Sequence, residues 1–143
     1  MAALKKRYYP KIAEEVYLAT LDNGMSLSII KKKGFIEKAA FLSTNFGALD
    51  NRFYIDGKLQ TYPAGIAHFL EHKLFEDDQG RDVTLDFVKL GADVNAFTTL
   101  DRTTYYFSTI DHFEESLELL LKFTSEFTSS EDAVNHEKRI IEQ

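Results

Sequence analysis

Two of this chain's four histidines, His68 and His72, flank Glu71 in an H-x-x-E-H arrangement. Residues four apart on an α-helix are separated by about 40° around the axis and one turn along it, so the two imidazoles would leave the same face. Imidazole nitrogen is a good zinc donor, and a catalytic zinc takes three protein ligands and keeps one position open for water. Glu71 falls on the flank of that face. A carboxylate there can take a proton from water that the metal acidifies to a pKa of about 7. At this chain's own histidine and glutamate frequencies the pattern arises by chance in about one chain in a hundred. His112 follows a helix cap and His136 stands on a charged helix, where capping or solvation explains them.

The elements that must position these residues can be read outward from them. Pro63 suits a helix's first turn, and Ala64 to Glu76 carries helix formers until Asp77-Asp78-Gln79-Gly80 stops it. Upstream, Val16 to Thr20, the turn Asp22-Asn23-Gly24 and Ser26 to Ile30 form a predicted hairpin. Ala39 to Asn45 reads as a third strand, followed by a polar, glycine-containing loop through Gln60. Downstream, Asp82 caps a helix with apolar Val83, Phe87 and Leu90, stopped at Gly91. Ala92 to Thr98 and Thr103 to Ile110 read as two strands joined around Leu100-Asp101-Arg102. Asp111 with Glu114 resembles a capping box, opening a helix whose buried stripe is Phe113, Leu117, Leu120 and Leu121, extended by Phe127. A last helix begins near Ser129 or Ser130 and is still running at Gln143. The expected fold class is α+β, a mostly antiparallel sheet packed with helices.

Composition bounds the function. The chain is 143 residues long, 44% apolar and 13% aromatic, enough for one compact core, so one domain or part of one is expected. A net charge of −6 argues against a nucleic-acid partner, which needs a basic surface. The one dense basic run, Lys31 to Lys33 beside Gly34, fits a solvated turn. With no cysteine, metal ligands must be nitrogen and oxygen. Neither a signal-peptide-like stretch nor a membrane-length run is present, so a soluble, cytoplasmic protein without a membrane partner is the expectation.

The segment Gly65 to Phe75, "GIAHFLEHKLF", resembles the signature helix of the pitrilysin/insulinase family of zinc metallopeptidases, the inverted zincins. "LDNGM" before "SLSII", "STNFGALD" before the motif and "NAFTTLDRTTYYF" after it fall in that family's order, so the resemblance covers nearly the whole chain. Lys73 after the second histidine is similar to the bacterial branch related to mitochondrial processing peptidase. The resemblance implies zinc as cofactor, His68 and His72 as ligands, Glu71 as general base, and a peptide substrate. It also implies that Asn95 and Ala96 hold the substrate backbone as an added β-strand; by itself Asn95 could instead serve the adjacent turn.

The third ligand in such enzymes is a glutamate seven residues beyond another glutamate, almost two helical turns, on a later helix. "NHEKRIIEQ" places the first, supporting carboxylate at Glu137 and the ligand just beyond Gln143. Glu142 points about 200° away around the axis and is a poor substitute. The expectation is an incomplete N-terminal metallopeptidase domain, residues 1 to 143, inactive by itself, from a zinc endopeptidase with a second homologous half or subunit. The alternative is a non-catalytic partner or scaffold of a processing-peptidase-like complex, although inactive halves usually lose the motif kept here.

Overall fold

The structure is a computed structural model, and residues 3–77 and 79–126 are described. Two compact units divide between Ile36 and Glu37. In the first, β1 (Lys5–Tyr9), β2 (Glu14–Thr20) and β3 (Ser26–Ile30) form an antiparallel sheet in that order. The expected hairpin is present, with Thr20 opposite Ser26 and Gly24 at φ 86°, a left-handed position that glycine adopts without a Cβ clash. Strand β1 was not expected, and its exposed, charged residues explain why: little apolar alternation marks it. Lys31 to Lys33 are exposed, as a solvated turn requires, and Lys32 pairs with Glu14.

The second unit contains an antiparallel sheet of β4 (Lys38–Thr44), β8 (Thr103–Thr109) and β7 (Asp93–Thr98), with β8 in the centre. A separate hairpin, β5 (Arg52–Ile55) and β6 (Lys58–Thr61), replaces the long loop expected through Gln60. Its turn is Asp56-Gly57, both at positive φ (50° and 73°), the backbone that a two-residue hairpin needs. Among the described residues the unit also has three helices, α1 (Ile66–Leu74), α2 (Thr84–Lys89) and α3 (Phe113–Ser125). The architecture is α+β, with mostly antiparallel sheets and few helices, as expected. Among the described residues no helix is long and apolar enough to cross a membrane.

The period-2 rule explains which side of the sheet the helices cover. On β7, Val94, Ala96 and Thr98 are partly buried while Asp93, Asn95 and Phe97 are exposed. On β8, Tyr105 and Phe107 join Val83, Phe87, Ala92, Leu120 and Phe123 in the core under the helices. Of the expected α3 stripe, Leu120 is in the core and Phe113 and Leu117 pack against it. Spacing of three and four places Ser116, Leu120 and Phe123 inward, and Leu121 is exposed. The expected Asp111 and Glu114 capping box does not form, because His112 at φ 54° occupies the cap position and the helix begins at Phe113. Phe127, His136 and the expected last helix lie outside the described residues.

Asp82 does accept the Thr84 N–H at 2.8 Å. The loop after β4 docks on the β7 to β8 turn through Ala48 N–H to Thr99 O (2.9 Å) and Leu49 N–H to Leu100 O (3.1 Å). Gly47 permits this approach, since a Cβ there would sit 2.4 Å from the Arg102 nitrogen. Gly47→Ala is therefore expected to cost about 1–3 kcal/mol by overpacking. Urea denaturation of the variant measures this, and an unchanged midpoint would show that the turn yields freely.

Candidate active site

Helix α1 starts later than Pro63 suggests. Gly65 precedes it at φ 86°, its carbonyl accepts the Phe69 N–H at 2.9 Å, and Pro63 and Ala64 stay outside the helix. The helix stops at Leu74, with Phe75 as its cap. Asp77 then organises the following turn by accepting the N–H groups of Gln79 (2.9 Å) and Arg81 (2.8 Å). Those hydrogen bonds, with the Arg81 guanidinium, hold the Asp77 carboxyl below its ordinary range.

On the nine residues between these ends, His68 and His72 stand on an exposed face with their Nε2 atoms 2.9 Å apart. Their rings meet edge to face, with centroids 4.6 Å apart. Two ring nitrogens so placed either share a proton or share a cation. At the usual zinc to nitrogen bond length, two tetrahedral ligands lie about 3.3 Å apart, so a small opening of this pair seats the metal. Glu71 offers a carboxylate oxygen within 4.8 Å of both histidine donors. The residues present fit zinc.

Glu71 differs from the histidines in being 9% exposed. It turns toward the sheet, where the Thr98 hydroxyl donates to its Oε2. Tyr105 lies close by on β8. Burial, and secondarily the Glu71 charge, push its phenol well above its ordinary range, so it stays protonated. Lys73 is buried, 2% exposed, with its ammonium paired to Glu76. Spacing from the two exposed histidines gives no hint of that burial, because charged residues seldom go inside without a partner.

Asn95 and Ala96 lie on β7, which among the described residues is an edge of its sheet. Asn95 is exposed, and its Oδ1 accepts the Ala96 N–H at 2.8 Å. Three residues of strand, about 10 Å, separate Asn95 from Thr98, the β7 residue that contacts Glu71. The structure thus brings His68, Glu71 and His72 together beside one end of β7. Glu137 and Glu142 lie outside the described residues. Sequence reasoning missed Thr98, although the alternation that turns Val94 and Ala96 inward also turns Thr98 inward.

A family model described as insulinase (peptidase family M16) matches residues 60–143, a stretch that contains the whole of α1 and β7. The chain belongs to this family. It is 43% identical over 142 residues to an uncharacterised zinc protease, YmfH, of Bacillus subtilis (strain 168), covering 98% of this chain and 33% of that protein. A crystal structure described as an M16-like peptidase from Alicyclobacillus acidocaldarius superposes with a TM-score of 0.83 at 37% identity, over 90% of this chain and 30% of the other. A protease from Helicobacter pylori shares the fold with a TM-score of 0.70 at 21% identity, over 99% of this chain and 30% of that one. The M16 chain thus spans about a third of the length of these relatives.

Proposed function

We propose that this M16 chain contributes α1 and β7 to the site of a zinc-dependent endopeptidase acting on peptides or unfolded segments. One observation carries the reading: the two Nε2 atoms 2.9 Å apart on one helical face, with the Glu71 carboxylate beside them. The naming of relatives as zinc proteases supports it. His68 and His72 would hold the metal, which when bound supplies an acidified water and polarises a carbonyl. Glu71 would act as the general base, its carboxylate accepting a proton from the attacking water and returning it to the leaving amine nitrogen. Its burial keeps the carboxylate among few competing waters.

The edge that β7 presents among the described residues would receive the substrate backbone as an added strand, with Asn95 and Ala96 at the pairing positions. A substrate carbonyl would take over the Ala96 N–H from the Asn95 oxygen, freeing the Asn95 amide to bond the peptide. Glu137 is a supporting carboxylate and the third metal ligand comes from beyond Gln143, within a longer protein having a second homologous half or subunit. The two imidazoles of the described residues fall one ligand short of a catalytic zinc site, so residues 1–143 alone should bind zinc weakly and turn over no substrate.

The test is hydrolysis of internally quenched peptides by the full-length protein, before and after chelation and after zinc is restored. Cleavage that chelation abolishes and zinc returns is expected. Cleavage indifferent to chelator, or none by the zinc-loaded protein, contradicts the reading; the second result fits a partner subunit.

A further inference from the structure

We propose that Thr98 is a positioning residue for Glu71, its hydroxyl fixing the carboxylate beside the two imidazoles. This rests on the peptidase reading above and adds a role on β7 beyond substrate pairing. The Thr98 hydroxyl donates to Glu71 Oε2 and lies 3.2 Å from the Thr103 hydroxyl. Thr103 commits its own proton to the Phe46 carbonyl at 2.8 Å. The one Thr98 proton then has two acceptors within reach, the Thr103 oxygen and Glu71 Oε2, and the closer contact is with Glu71. The chain of contacts runs from α1 through β7 and β8 to the loop after β4, and Gly47 locks that loop against the β7 to β8 turn.

A glutamate side chain has three rotatable bonds, and on a helix it can sweep a wide arc. Thr98 removes that freedom from a rigid base. It is β-branched, so its own χ1 is restricted. It also sits on the inward register of β7, where the backbone is paired to Thr103. Placement matters because a misplacement of about 1 Å at a reacting group can cost a hundredfold in rate. Partners that orient a metal site typically contribute 10- to 100-fold in activity.

Two variants of the full-length protein separate hydroxyl from packing. Thr98→Val keeps the shape and loses the donor; Thr98→Ser loses the methyl and keeps the donor. The expected result for Thr98→Val is kcat lowered about 10- to 100-fold, with KM and zinc content near those of the wild type. Thr98→Ser should recover kcat to within about threefold of wild type. In a crystal structure of Thr98→Val the Glu71 carboxylate should be displaced while His68 and His72 keep their places. A packing role gives the reverse order, with the valine variant active and the serine variant impaired, and would overturn the proposal. An unmoved Glu71 carboxylate in Thr98→Val overturns it as well. Chelator-insensitive cleavage by the wild type sinks the zinc-dependent reading instead, and the crystallographic comparison still decides whether Thr98 holds Glu71.

Discussion

Glu71→Gln in the full-length protein is expected to lose peptide hydrolysis by about 10²–10⁴-fold while zinc stays bound at the wild-type ratio. The substitution is close to isosteric, and the glutamine amide oxygen can still accept the Thr98 hydroxyl that now bonds Oε2. Glu71 is also nearly buried, so a shape-preserving change avoids a cavity. What disappears is proton acceptance. Steady-state kinetics beside metal analysis reads both quantities on one preparation. Activity within a few-fold of wild type would remove Glu71 from the proton-transfer role, and loss of zinc would make it a ligand instead.

His68→Ala and His72→Ala should give the opposite pairing of results, with metal and activity lost together. Partners outside a metal's ligand set typically matter 10- to 100-fold, so a direct ligand should cost more than about 100-fold in zinc affinity. Both imidazoles are exposed on α1, and truncating them takes nothing from the core beneath. The variants should therefore keep the wild-type circular dichroism spectrum. Dialysis followed by elemental analysis checks the claim, and either variant retaining one zinc per protein would contradict it.

The contrast between these residues and Thr98 shows what the sequence made legible. H-x-x-E-H declares itself because the helical period places i and i+4 together without knowledge of the rest of the fold. The hairpin around Asn23-Gly24 and the strand pair 93–98 and 103–109 are legible for the same local reason. Asp56-Gly57 carried an equally local signal, and reading its glycine as loop chemistry hid β5 and β6. Other features depend on distant residues. The Lys73 burial rests on its pairing with Glu76, and the left-handed His112 displaces a cap that Asp111 and Glu114 promised. Leu121 turns out of the core and Phe123, which the sequence reading left out, turns in, because the sheet selects which stripe of α3 faces inward. Thr98 needed both kinds of information: local alternation turns it inward, but only packing of α1 against β7 supplies Glu71 as its partner.

The most direct test is an anomalous diffraction map at the zinc edge, from crystals of the zinc-loaded full-length protein. A single peak about 2.0–2.1 Å from the Nε2 atoms of both His68 and His72 is the expected result, with the Glu71 carboxylate nearby but outside bonding distance. A peak elsewhere in the protein, or none within reach of these two imidazoles, would contradict the account.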